Sequence, residues 1–428
     1  MRSVVQWRLM SLAGMAAVVL LAAIAATHVS RAEQSAVGEL PSVVNQAPRT
    51  NVARIVSSLP LTGSQQATAQ SIASAIRMAV DESNQRVGGL TVAYEAWDDA
   101  SPTRGSWDPD REFANAQRAA NNPSVVAYIG PYNSGAARVA IPILNRADVV
   151  VISPSNTYPG LTKANFGPLE PEIYYPTGRR NYARVVATDD LQGVAGARWA
   201  RELGAQRVYV LDDGDRYGGW LAAAFHQEAH RLNLQVYPSA WPDTIDPRTD
   251  DYRELGQRIR ASGPDLVYFG GTYLNNAARL WQDLRDALGP GVKLMGPDGL
   301  YEQEFLDLVG TAAHETYLTI NGRPIEQYEG RAREWLQRYR TRFGADPDPW
   351  AIYGYESANV VLDAIGRVGQ PNRAAIRDAV MATRDYDGVL GRWSLDANGD
   401  TTLTRMSGLQ VRGPTIAQVA FVTALSVD

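Results

Sequence analysis

From Val52 onward the chain alternates two hydrophobic patterns. Short runs of apolar and β-branched residues, "VARIVSS" from Val52, "LTVAYEA" from Leu90, "SVVAYIG" from Ser124 and "VVVIS" from Val149, predict strands. Between them apolar positions recur at helical spacing. Ile72, Ile76, Ala79 and Val80 share one face of a helix predicted over 62–84. Further helices are predicted through "DREFANAQRAANN" from Asp110 and "SGAARVAIPILNRA" from Ser134. Strands alternating with helices in this way form βαβ units around a parallel sheet.

The rhythm breaks over 158–180, a stretch rich in Pro, Gly and Tyr, and then resumes. "YARVVA", "RVYVLDD", "LQVYPSAW", "DLVYFGG" and "VKLMG" predict strands, separated by helices through "GWLAAAFHQEAHRL", "DDYRELGQRIRAS" and "NNAARLWQDLRDAL". Residues 328–382 are mostly helical in pattern, and the tail from Asp385 reads as short strands. The expected fold class is therefore α/β, with two doubly wound parallel-sheet lobes joined by hinge strands. The first lobe is expected over 51–187 plus 319–395, the second over 188–318 plus 396–428.

In open parallel sheets ligands bind beyond the carboxyl ends of the strands. The exits are unusual here. "VVVIS" empties into Ser153, Pro154, Ser155, Asn156, Thr157 and Tyr158, more polar groups than a turn needs. "VVAYIG" exits into "PYNSGAA", "RVYVLDD" into "GDRYGG", "DLVYFGG" into "TYLNN" and "VKLMG" into "PDGLY". Such loops, divided between two lobes, read as two halves of a cleft. Asn133 and Ser134 open a helix, where they can cap it while free N–H groups hold an anion such as a carboxylate. Thr157 can supply a second donor. Asp298 is either a turn residue before Gly299 or the counter-charge for a ligand ammonium.

Composition narrows the function classes. The 428 residues include 41 basic and 46 acidic side chains, a formal charge of −5, and no basic run that would suit nucleic acid. With no cysteine, disulfides, thiolate metal sites and a cysteine nucleophile are excluded. His226 and His230 have zinc-ligand spacing, but Gln227 stands where a zinc protease motif needs Glu, so an exposed helix face is expected. Neither metal nor cofactor is expected. Asp98 and Asp99 are expected to cap a loop, and "DANGDTTLT" from Asp396 to form a hairpin turn. Arg2 and Arg8 precede an uncharged run over 9–26, the pattern of an export signal. Small residues at Ser30 and Ala32 suit cleavage after Ala32; the run is also long enough to stay as a membrane anchor. Residues 33–50 read as a flexible tether, which puts the folded part outside the cytoplasm, on the periplasmic or extracellular face.

Taken in order, "PLTG" at 60, "WDDAS" at 97, "IGPYNSG" at 129, "ISPSNTYPGLT" at 152, "DDGDRYG" at 212, "VYFGGTY" at 267 and "MGPDG" at 295 resemble the type I periplasmic binding proteins of ABC transporters, in the leucine/isoleucine/valine-binding branch. The resemblance implies that Ser134 and Thr157 bind the α-carboxylate and ammonium of an amino acid. It implies that Ser155 offers its backbone carbonyl to the ammonium, Tyr217 closes from the second lobe, and Asp298 pairs with the ammonium. It further implies a small-molecule ligand, an ABC permease as partner, a monomer, and no catalysis.

The chain departs from the branch at several positions. Asp298 is one methylene shorter than the usual Glu, and Thr272, followed by Tyr273, stands where a tyrosine is common. Tyr132 replaces a small aliphatic wall, Thr68 stands near an aromatic position, and a disulfide between the loops of Ser101 and Asn133 cannot form. With Tyr158 as a second ring, polar, small or aromatic amino acids are expected to compete well against branched ones. The rival reading is a ligand-sensing module held by an uncleaved anchor. A hydrolase using Asp98 or Asp298 would need a histidine base near a strand exit, and no strand-exit loop contains one.

Overall fold

The computed structural model describes residues 51–427; the expected export signal and tether fall outside the described residues. Two sheets organise the fold. The first runs in the order Arg86–Val87, Leu90–Asp98, Val52–Leu59, Val125–Ile129, Val150–Ser153, Tyr182–Arg184. All neighbours are parallel except the short edge strand Arg86–Val87. The second runs Gln235–Tyr237, Arg207–Asp212, Leu266–Gly270, Lys293–Gly296, Thr316–Asn321, Met406–Val411, Val419–Leu425. Its last two strands are antiparallel, so this sheet is mixed rather than wholly parallel.

The unbroken apolar runs follow from burial on both faces. Val150 and Ile152 pack with the helices Gln66–Glu82 and Ala351–Val368, whereas Val149 and Val151 pack with Pro109–Asn121 and Ser134–Arg146. The second sheet repeats the plan. Tyr209, Leu211 and Phe269 face the helix Ala277–Leu288; Val208, Val210 and Tyr268 face Asp189–Glu202 and Arg216–Arg231. Among the described residues no helix is long and apolar enough to cross a membrane.

The chain passes between the two cores three times. Val186 packs in the first core and Ala187 in the second. Ile320 belongs to the second core, and Tyr328 to the first. The chain stays in the first through Leu395, before Met406 enters the second. The crossings are bonded together: Gly322 N–H donates to Arg405 O at 2.9 Å, and Ser407 Oγ to Gly322 O at 2.7 Å.

Two local expectations change. The first helix starts at Gln66 rather than Thr62. Leu61 N–H and Thr62 Oγ1 donate to the Asp98 carboxylate at 2.8 and 2.7 Å, and Gly63 adopts φ +80, so this segment is held as a loop. His226 is not on an exposed face: it is 4 % exposed and bonded through Nε2 to Pro238 O at 2.8 Å. Its neighbour His230 meets Ser239 O at 3.0 Å, so both rings tie the helix to the following loop. Asp98 caps its loop as expected, its Oδ1 accepting from Ala100 N–H at 3.0 Å, but Asp99 does not: its carboxylate is buried away from the loop's donors.

Candidate functional site

Each sheet reverses its winding next to its first parallel strand. In the first sheet this happens between Val52–Leu59 and Val125–Ile129, in the second between Arg207–Asp212 and Leu266–Gly270. Such switch points open a crevice at the strand ends, and the two crevices face one cavity of about 120 Å³. Tyr132, Asn133, Ser134, Ser155, Thr157, Tyr217, Thr272 and Asp298 all line it. All of the polar strand-exit loops therefore contribute to one wall. A larger cavity of about 690 Å³ lies beside the chain crossings, near Val185, Tyr353 and Leu390, and touches none of those exit loops.

On the first-lobe side, the helix Ser134–Arg146 points its N-terminus at the cavity. Asn133 occupies the capping position, but its side chain makes no capping bond and its buried Oδ1 has no partner. Ser134 Oγ lies 3.4 Å from Tyr158 N. The neighbouring loop is built on side chains that satisfy its own backbone. Ser153 Oγ accepts from Asn156 N–H at 2.9 Å, Ser155 Oγ donates to Tyr132 O at 2.9 Å, and Asn156 Nδ2 donates to Pro131 O and Tyr132 O at 3.0 and 2.8 Å. Beneath it the fully buried Arg184 donates to Asn156 O and Tyr158 O at 3.0 and 2.8 Å, flanking Thr157. Arg184 is itself held by Asp400 at 2.7 Å, from the hairpin turn expected at Asp396. The polar surplus after "VVVIS" is thus partly a scaffold. Thr157 is left 3 % exposed, with its carbonyl accepting from Asp189 N–H at 3.0 Å.

On the second-lobe side, Asp213 joins two loops: its carboxylate accepts from Asp215 N–H, Thr272 N–H and Asn275 Nδ2 at 3.1, 3.1 and 2.8 Å. Burial nevertheless pushes it up to about 6. Tyr217 OH donates to Asp298 Oδ1 at 2.8 Å, and Asn321 Nδ2 to Asp298 Oδ2 at 3.1 Å. Asp298 begins a short 3-10 turn and is 6 % exposed. Burial raises its pKa, opposed by those donors. Gly299 fits because a Cβ there would lie 2.6 Å from Gly271 O.

Charge in the wall is uneven. Arg138 and Arg216 line the cavity but lie 3.9 and 3.5 Å from Glu170. Arg216 also reaches Tyr158 OH at 3.3 Å, a contact between the two halves. Tyr158 lines the cavity as expected, although its hydroxyl is turned to Glu170. Tyr132 stands edge-on to Trp350, ring centroids 6.3 Å apart, and its hydroxyl is raised well above the usual range by burial and then by Glu302, Asp348 and Asp298. Among the described residues no group of three or more His, Asp or Glu is gathered to hold a metal ion.

Sequence reasoning missed Gln65, Arg138, Arg216, Glu302 and Trp350 in the wall. Arg216 lies inside the quoted "GDRYGG" but was not singled out, and Glu302 follows directly after "PDGLY", where a window one residue wider would have caught it. Trp350 comes from a loop before the helix Ala351–Val368, far along the chain, with no local signal.

The family model described as periplasmic binding protein matches residues 53–415, most of the chain. A Leu/Ile/Val-binding protein, BraC3 of Rhizobium johnstonii, is 26% identical over 347 residues, 80% of this chain and 87% of that relative. A leucine-binding protein of Thermotoga maritima has a similar structure, with TM-score 0.74 and 25% identity, covering 87% of this chain and 99% of the other. A solute-binding protein of Rhodopseudomonas palustris in complex with p-hydroxybenzoic acid shares the fold at TM-score 0.72 and 18% identity, over 88% of this chain and 98% of the other.

Proposed function

The chain belongs to the periplasmic binding proteins, and on that premise we propose that it captures an amino acid, or a similar small zwitterion, between its lobes and delivers it to an ABC permease. The observation that carries this reading is the meeting of Ser134 and Thr157 with Tyr217 and Asp298 around one cavity. The α-carboxylate is received at the start of the helix Ser134–Arg146, where N–H groups and a hydroxyl converge. The ammonium is received by Asp298, with the Ser155 carbonyl and Thr157 completing its contacts. Tyr217 acts through Asp298, whose carboxylate it holds at 2.8 Å. Asn133, Tyr132 and Thr272 shape the remainder. An aromatic acid such as the Rhodopseudomonas palustris protein's p-hydroxybenzoate has no ammonium and would leave Asp298 only its contacts with Tyr217 and Asn321, whereas an amino acid gives it a counter-charge.

The two lobes, with boundaries moved from the expected ones to the crossings at 186–187, 320–328 and 395–406, close over the ligand by bending there. The protein acts outside the cytoplasm as a monomer. It carries out no reaction, in keeping with the binding proteins it is similar to. The test is a thermal-shift screen against the amino acids, followed by small-angle scattering with the best ligand. A ligand that binds only the folded state adds ~2.7 kcal/mol at a hundredfold excess over Kd, and closure contracts the particle. No shift with any amino acid, or an unchanged radius on binding, rejects the reading.

A further inference from the structure

One part of the cavity wall carries acid without base. Glu302, at the head of the helix Gln303–Val309, lines the cavity. Asp348, from the loop before Trp350, stands close enough to raise it: Glu302 is held well above the usual carboxylate range by burial and then by Asp348. Thr68 lies between them, its Oγ1 2.8 Å from Asp348 Oδ2 and 3.4 Å from Glu302 Oε2. One hydroxyl has one hydrogen, and the shorter contact claims it for Asp348. Asp348 receives a further bond from Trp350 N–H at 2.9 Å, while Glu302 is left with a long contact alone. Among the described residues neither acid has an arginine or lysine within ion-pair distance, and the arginines that line the cavity are turned to Glu170.

A second feature is independent of these acids. Gln65 is 7 % exposed and lines the same cavity, and its Oε1 is buried with no hydrogen-bond partner. A buried acceptor without a donor is costly and rare in a finished structure. With Asp298 already facing the site of the α-ammonium, the wall offers more acceptors than a neutral side chain can satisfy.

We propose that the ligand is an amino acid whose side chain ends in a cation, received by Glu302 with Asp348 beside it and by the Gln65 carbonyl oxygen. This inference rests on the reading of the cavity as an amino-acid site. Thr68 then acts as a positioning residue that fixes Asp348. Tyr132 and Trp350 flank the side-chain stem.

The experiment compares ligands matched in shape and differing in charge. Lysine is set against norleucine and arginine against citrulline, by calorimetry on the unmodified protein and on Glu302→Gln. The cationic member of at least one pair binds about ten- to a hundredfold tighter, and Glu302→Gln removes most of that gap by weakening the cationic member more than the neutral one. Equal or weaker binding of both cationic ligands overturns the inference, as does a Glu302→Gln variant that weakens all ligands alike. If Glu302→Gln fails to fold, the paired ligands on the unmodified protein decide alone. The two readings separate cleanly. Neutral amino acids that bind at least as tightly as their cationic counterparts, and lose binding in Asp298→Ala, keep the amino-acid site and discard the cationic side chain. No binding by either class discards both.

Discussion

Replacing Asp298 by alanine is the sharpest probe of the cleft. In the protein without ligand, the substitution deprives Tyr217 OH and Asn321 Nδ2 of their acceptor, at 2.8 and 3.1 Å. That loss is present in the free and bound states alike and cancels from the binding free energy. What remains is the ligand ammonium, enclosed beside a carboxylate only 6 % exposed and then left alone. Truncating one side of a buried charge pair costs ~2–5 kcal/mol. At ~1.4 kcal/mol per tenfold, affinity falls roughly 30-fold to a few thousandfold. Ser134→Ala costs less, ~1–3 kcal/mol, because the carboxylate keeps the helix N–H groups. Asp298→Asn falls between wild type and alanine, since it retains an acceptor but no charge. Calorimetry with the tightest amino acid from the screen measures all three, with melting temperatures as a control on folding. Parent-like affinity in Asp298→Ala makes Asp298 a turn residue and refutes the zwitterion site; a larger loss for Ser134→Ala inverts the assignment of the dominant contact.

Three further outcomes are expected. Arg184→Met leaves Asp400, 6 % exposed, without its ion-pair partner and releases the carbonyls beside Thr157; unfolding in urea shows a loss of ~3–5 kcal/mol, and an unchanged midpoint refutes the anchoring role. Arg216→Ala breaks the contact with Tyr158 and Glu170 at a partly exposed position, so affinity drops by no more than about 1 kcal/mol and the ligand-free protein scatters with a larger radius; an identical radius removes Arg216 as a latch. Stability falls with rising pH. Burial and then Asp98 raise Asp99 to about 8, and burial raises Glu356 to about 7, so the native state keeps protons that the unfolded chain releases in the ordinary carboxylate range. Their contribution is complete below that range and is lost as pH rises through those values; melting scans show the decline, and Asp99→Asn flattens it near pH 8, whereas a parental slope in that variant assigns the effect elsewhere.

The sequence by itself determined the α/β class, the two alternating series and the loops that meet at the cavity. These are local properties: a strand buried on both faces must be apolar along its length, as Val149 to Ile152 are, and a parallel strand must end at the open edge of its sheet. The residues of "PYNSG", "SPSNTY", "DRYGG", "GGTY" and "GPDG" were therefore legible as one group before any distance was known. Which of their polar atoms face the cavity was decided by the tertiary structure. Ser153, Asn156 and the Ser155 hydroxyl hold the loop's own backbone, so the hydroxyl-rich stretch is scaffold as well as surface. Arg184 reads in sequence as the end of a strand, yet it ties the loop of Thr157 to Asp400, 216 residues further on. Gln65 and Trp350 carry no local pattern, because their importance comes from where separate segments are brought together. Contacts that close such long loops depend on the packing of both cores, and short-range periodicity holds no record of them.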